Sequence, residues 1–206
     1  MGNEETMIFA VAGNPVLHSM SPQMHNAGFQ SLGINAHYTR ISAKSAKEAL
    51  ELARKIGMKG INVTSPFKEE MIGLVDEVTG TAEKVGAVNT VIIEKGGKAV
   101  GHNVDTEGVN GPLKEKGVKI SGSDALVSGA GGAAMAACCT LSGAGARPTI
   151  ANRTVEKAKE LAEKFGGKAI GISGKEFSSA ISKADIIIGC LSTGERAVDL
   201  SGINKE

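Results

Sequence analysis

A chain of 206 residues with 41% hydrophobic and 22% charged side chains can bury a sizeable core, which excludes disorder as a description of the whole. Twenty-three basic against 22 acidic residues leave a formal charge of +1, and five Phe, one Tyr and no Trp provide few stacking platforms, so no nucleic-acid partner is expected. No apolar run approaches ~18 residues and the first residues lack the basic start and apolar stretch of a secretory signal, so no membrane partner is expected either.

Short β-rich runs alternate with longer helical patterns, the mark of an α/β chain. Met7 to Ala12 reads as a strand and Ser21 to Leu32 as a helix opened by Ser21, with Pro22 at its first position. His37 to Ile41 is a second strand. The helix predicted from Ala46 to Ile56 sets Ala46, Ala49, Leu50, Ala53 and Ile56 on one face and its Lys, Glu and Arg side chains elsewhere. Gly60 to Val63 is a third strand running into Thr64-Ser65-Pro66-Phe67-Lys68. Strands from Ala87 to Glu94 and from Lys98 to His102 flank Lys95-Gly96-Gly97, a hairpin turn. A helix starts at Asp105 and runs towards Lys116 through Gly108, Gly111 and Pro112.

The following stretch is of a different kind. A strand from Asp124 to Ser128 leads through Gly129-Ala130-Gly131-Gly132-Ala133-Ala134 into a helix of small residues ending near Leu141. Strand Pro148 to Ala151, helix Thr154 to Phe165, strand Lys168 to Ile172 and the apolar strand Ile186 to Leu191 complete it. The expected fold class is α/β, with an N-terminal α/β unit over residues 1–117 and a Rossmann-like dinucleotide-binding unit over 118–206. A doubly wound dinucleotide fold has six strands and about four are legible, so the second unit is expected to be incomplete.

The glycine loop matches G-x-G-x-x-G/A between strand and helix. There Gly129 permits the tight turn, Gly131 lets a pyrophosphate approach the backbone, and small Ala134 lets the helix pack closely. Phosphate then rests on the helix start, where free N–H groups and the dipole favour negative charge; the plain alternative is a glycine-rich packing turn. Units that bind NAD carry Asp or Glu about 20 residues later to hold the ribose 2′-hydroxyl. This chain has Asn152-Arg153-Thr154, with Lys157 one helical turn beyond Arg153. A carboxylate would repel a 2′-phosphate whereas these two cations would clamp it, so NADP is favoured over NAD, unless Thr154 merely caps a helix whose cations are solvated.

In the N-terminal half, Ser19 and Ser21 stand two apart before a helix and could donate to a small carboxylate, or Ser21 could simply be the N-cap. Lys68 and Asp105 follow strands; each also has a bland reading, as a surface cation and a helix cap. Asn89 is an amide inside an otherwise apolar strand and needs hydrogen-bond partners, which a hydroxylated ligand could supply. Cys138, Cys139, Met20 and Met24 read as packing residues. His25 and His37 show no metal-ligand spacing, while His18 and His102 flank the proposed pocket. With two adjacent thiols, Cys138 and Cys139, and one distant, Cys190, neither a disulfide nor a zinc framework is expected, and so no metal and a reducing, cytoplasmic setting are expected.

In this order, Gly13-Asn14-Pro15, His18-Ser19-Met20-Ser21-Pro22, Asn62-Val63-Thr64, Pro66-Phe67-Lys68, Gly86-Ala87-Val88-Asn89-Thr90, Asn103-Val104-Asp105, the Gly129 loop and Asn152-Arg153-Thr154 resemble the shikimate dehydrogenase family. The resemblance spans Gly13 to about Gly194. It implies NADP-dependent, reversible reduction of 3-dehydroshikimate to shikimate, a step of aromatic amino-acid biosynthesis. By the same resemblance Ser19 and Ser21 hold the substrate carboxylate, and Asn62, Thr64, Asn89 and Asp105 its ring hydroxyls. Lys68 and Asp105 form the catalytic pair, and Gly129, Ala130, Gly131, Gly132, Ala133, Asn152, Arg153, Thr154 and Lys157 hold the cofactor. It leaves a homodimer open. Val104 replaces the family's usual Thr, Cys190-Leu191-Ser192-Thr193-Gly194 replaces an Asn-Ala-Thr type of segment, and the family's C-terminal region is expected to be missing. Two other readings stand beside this one: a protein that binds shikimate and NADP without turnover or forms a piece of a larger enzyme, and a quinate/shikimate dehydrogenase using NAD.

Overall fold

A computed structural model describes residues 5–191, and the chain divides into two compact units, Met1–Val104 and Asp105–Glu206. In the first, the order is β1 (Met7–Gly13), α1 (Ser21–Ser31), β2 (Ala36–Ser42), α2 (Ala46–Ile56), β3 (Gly60–Val63), a 3-10 turn (Glu70–Gly73), β4 (Glu77–Val78), α3 (Gly80–Val85), β5 (Thr90–Ile93) and β6 (Ala99–His102). Their sheet has the order β2-β1-β3-β5-β6-β4. Strands β1, β2 and β3 run parallel, while β5 is antiparallel to both β3 and β6.

The pleat sorts the side chains of this sheet between two faces. Ala10, Ala12, Ile41, Ile61 and Val63 pack with Ala46, Ala49, Leu50 and Ala53 of α2 in the main core. Phe9, Val11 and Tyr38 form a second cluster with Val16 and with Phe29 of α1. Helix α2 has every signal a helix needs. Ser45 accepts the Glu48 N–H at 3.1 Å, Glu48 accepts the Lys44 N–H at 2.6 Å, and Gly57 ends the helix at φ +76°. The hairpin turn also forms where expected, with Gly96 and Gly97 at φ +93° and +87°.

Asp76, just ahead of β4, ties this unit together. Its carboxylate accepts the Ala99 N–H at 2.6 Å and the Arg54 guanidinium at 2.5 Å, and these partners, the amide first, hold it below the usual carboxylate range. A depressed native titration gives stability that is present above the unfolded value and lost as pH falls through the folded one. The Asp76→Asn variant should therefore melt below the parent near about pH 7, with the gap closing below about pH 4. Melting curves across that range check this; a gap of constant size would contradict it.

The second unit contains α4 (Asp105–Glu115), β7 (Asp124–Ser128), α5 (Gly132–Gly143), β8 (Arg147–Asn152), α6 (Val155–Phe165), β9 (Lys168–Gly171), α7 (Gly174–Lys183) and β10 (Ile186–Gly189). Among the described residues its strands form one parallel sheet in the order β10-β7-β8-β9, the Rossmann-like arrangement expected. The boundary differs from the expected 117/118. Helix α4 packs on α5, with the Thr140 hydroxyl 3.5 Å from the Thr106 carbonyl oxygen, and so belongs with the second unit.

Other departures have local causes. Ala87-Val88-Asn89 lie outside β5: the Val88 N–H bonds the Lys68 carbonyl at 2.8 Å, while Asn89 still exchanges main-chain bonds with His102 of β6 and Val63 of β3 at 3.0 and 2.7 Å. Helix α7 was not expected; it buries Phe177 and Ile181, one turn apart, against Leu126 and Ile170. Met20 and Met24 are not core residues, being 67% and 66% exposed. Cys138 is fully buried on α5, as its packing role requires, and burial first pushes its thiol up to about 12. Among the described residues no helix is long and apolar enough to cross a membrane, and no group of three His, Cys, Asp or Glu side chains could hold a metal.

Candidate functional site

In the first unit the polar residues gather where β1, β2 and β3 end. Val11 of β1 pairs with Arg40 of β2 on one side and Asn62 of β3 on the other, so these side chains share a face. Thr64, two beyond Asn62, continues that side, and its N–H bonds the Ala12 carbonyl at 2.9 Å. Gly13 is required here: a Cβ would overlap Thr64 Cγ2 and lie 3.1 Å from the Ser65 carbonyl oxygen.

Ser19 and Ser21 stand together as expected, but Ser21 is not the N-cap. Helix α1 starts at Ser21 itself, Met20 takes the cap position without a side-chain bond, and the Ser21 N–H bonds Ser19 Oγ at 3.3 Å. The Ser19 hydroxyl also donates to Ser21 Oγ at 3.1 Å. Arg40, which sequence reasoning missed, fixes the pair. Its Nε and Nη2 donate to the Ser19 carbonyl at 3.1 and 2.5 Å, and Nη2 also reaches Gln23 Oε1 at 3.0 Å.

Asn62 accepts from Tyr38 Oη at 2.6 Å and donates to Thr90 Oγ1 at 3.1 Å. Asn89, 6% exposed, accepts from the Thr90 hydroxyl at 3.1 Å and the Val104 N–H at 3.0 Å, so the protein meets part of the demand expected of this amide. Lys68 is half-buried. It follows Phe67, which is 2% exposed and whose N–H closes a turn onto the Thr64 carbonyl at 3.0 Å. Tyr38, like Arg40, carried no local signal: its role arises from pairing across the sheet.

The second unit places Gly129 directly after β7, at φ +118°. A Cβ there would lie 2.7 Å from the Cys190 carbonyl oxygen, and Cys190 itself is held by its N–H to the Ser128 carbonyl at 2.7 Å. Gly131 takes the N-cap position of α5 with no side-chain cap, and a Cβ on it would meet nothing within 4 Å. Ala130, Gly132 and Ala133 complete the loop, while Ala134 is fully buried and brings the helix close to the sheet. The open space at Gly131 and the uncapped helix start fit a phosphate group. These features lie at the carboxyl ends of β7 and β10, where the strand order reverses and open α/β sheets take their ligands.

Asn152 ends β8, and its Nδ2 donates to the Thr154 carbonyl at 3.0 Å; Thr154 precedes α6 without capping it through its side chain. Arg153 and Lys157 are exposed. Asp105 is the first residue of α4 and half-buried, and its charge adds to burial in pushing the Cys190 thiol up to about 11. Of the Cys190–Gly194 segment, residues 192–194 lie outside the described residues.

Residues 11–91 match the family model for the shikimate dehydrogenase substrate binding domain, and residues 113–205 that for shikimate / quinate 5-dehydrogenase. The chain is 42% identical to shikimate dehydrogenase (NADP(+)) of Pyrococcus furiosus, over 94% of this chain and 70% of that protein. It is also 42% identical to the enzyme of that name from Carboxydothermus hydrogenoformans, over 80% of this chain, and spans only 59% of that relative's length. Among solved structures, shikimate 5-dehydrogenase from Thermus thermophilus in complex with NADP(H) and shikimate matches with a TM-score of 0.78 and 35% identity, covering 90% of this chain and 68% of that one.

Proposed function

The chain belongs to the shikimate dehydrogenase family, and from that premise we propose that it reversibly reduces 3-dehydroshikimate to shikimate with NADPH. The observations that carry this reading are the run of oriented polar groups at the ends of β1 to β3 in the first unit and, in the second unit, a loop that leaves its helix start open to phosphate. Ser19 and Ser21 offer hydroxyls to the substrate carboxylate, with Arg40 holding their loop. Asn62, Thr64 and Asn89 take the ring hydroxyls.

When bound, NADPH would supply the hydride that the ketone carbon accepts. As charge grows on the ketone oxygen, Lys68 stabilises it and delivers a proton, and Asp105 orients that exchange. In the reverse direction the same groups accept the hydroxyl proton. For the cofactor, Gly129 to Ala133 carry the pyrophosphate, and Asn152, Arg153, Thr154 and Lys157 take the adenosine 2′-phosphate.

The test is NADPH consumption on addition of 3-dehydroshikimate, with calorimetric titration of shikimate alongside. Consumption with one shikimate formed per NADPH is expected. Binding without consumption would instead favour a protein that holds these ligands without turnover, and absence of both would remove the reading altogether. For the phosphate clamp, Arg153→Ala should weaken NADP at least about tenfold, the loss expected of a charge-assisted hydrogen bond. Affinity for NAD should stay unchanged, and equal losses for both cofactors would assign Arg153 to general stability instead.

A further inference from the structure

The hydrogen bonds joining Tyr38, Asn62, Thr90 and Asn89 have one fixed direction. It is set at the Val104 end, because a main-chain N–H can only donate, so Asn89 must turn Oδ1 towards it. The Thr90 hydroxyl, 3.1 Å from that same oxygen, then donates as well, which leaves Thr90 Oγ1 to accept from Asn62 Nδ2. Asn62 Oδ1 consequently faces Tyr38, whose hydroxyl donates to it at 2.6 Å.

Tyr38 is held firmly enough to act as the end stop. It is 3% exposed, its ring stacks on His25 with centroids 4.3 Å apart and planes at 10°, and Asn26 brackets its main chain with bonds of 2.8 and 2.9 Å. Burial raises its phenol well above the usual tyrosine value, so it stays a donor at neutral pH.

We propose that Tyr38 is a positioning residue for shikimate: its hydroxyl holds Asn62 Oδ1 inward, which leaves the second N–H of Asn62 Nδ2 as a fixed donor to a ring oxygen of the substrate. This rests on the reading of the polar cluster given under the proposed function. Without the Tyr38 hydroxyl, the Asn62 amide keeps only the Thr90 bond to hold its orientation, and the donor is presented for only part of the time.

The test pairs Tyr38→Phe, which keeps the ring and its stack, with Asn62→Ala. Calorimetry should show Tyr38→Phe weakening shikimate about 5- to 10-fold, the equilibrium equivalent of one ordinary hydrogen bond, with NADP affinity unchanged. In the Asn62→Ala background the same change should add less than about twofold, because the residue through which it acts is gone. Unaltered shikimate affinity, or an equal loss in both backgrounds, would overturn the proposal. Thr90→Val breaks the run one bond further along and gives the same non-additivity test in a second variant. The side-chain amide signals of Asn62 in the free protein probe the Tyr38 bond with no ligand present, and should move in Tyr38→Phe; unmoved signals would also overturn it. A parent protein that fails to bind shikimate while those signals do move would instead discard the reading of the cluster as a shikimate site.

Discussion

Replacing Lys68 by alanine is expected to lower turnover at least ~10²-fold while changing shikimate affinity much less, the signature of a group that works mainly in the transition state. The expectation has a structural basis beyond the side chain's chemistry. Phe67 is buried beside it, the Thr64–Phe67 turn is closed at 3.0 Å, and the Lys68 carbonyl accepts the Val88 N–H at 2.8 Å. The main chain is therefore pinned on both sides of the Cα, and truncating the half-exposed ammonium leaves that frame in place. Steady-state rates and shikimate titrations on the same preparations check this. A raised KM with kcat preserved would make Lys68 a binding group.

Gly129→Ala should be the most damaging single change in the second unit. The backbone there stands at φ +118°, which an L side chain rarely adopts, and the new methyl would lie 2.7 Å from the Cys190 carbonyl oxygen and 3.0 Å from its carbon. Strain of ~1–3 kcal/mol and overpacking of similar size should together cost about 2–6 kcal/mol of unfolding free energy. Gly131→Ala is the matched control. Nothing lies within 4 Å of the added carbon, so stability should change by less than ~1 kcal/mol. NADP affinity should nonetheless fall, because the methyl occupies the space through which a phosphate approaches the helix start. Urea unfolding and NADP titration separate the two effects. Equal stability losses would show that Gly129 and Gly131 do not differ as described.

Much of this was legible in sequence because the signals are local. The Gly129 loop is a strand–turn–helix pattern within one short segment, and α2 carries its caps and its apolar stripe in consecutive residues. Ser19, Asn62 and Lys68 stand beside turns that a reader can see. Arg40 and Tyr38 could not be found this way, since each acts through a partner on another element, Ser19 or Asn62, reached only across the sheet. Of the two readings that sequence left open for Ser21, the cap is the one the structure does not take, because Ser19 accepts the free N–H there. Met20, at the cap of α1, and Met24, within it, have the spacing of core residues but are exposed, which spacing alone does not distinguish. Helix α4 has no strong apolar stripe, so its packing on α5 was not legible in the sequence.

The period-two pleat of β3 sends Ile61 and Val63 into the core and Asn62 to the opposite face. A point substitution at any one of these positions disturbs one side chain. Adding or removing a single residue ahead of Asn62 within the strand would exchange the two sets at once, pointing the amide into hydrocarbon and an aliphatic group at the ligand. What lineages of such chains must preserve is therefore the count of residues along this strand, and length variation belongs in the loops that flank it.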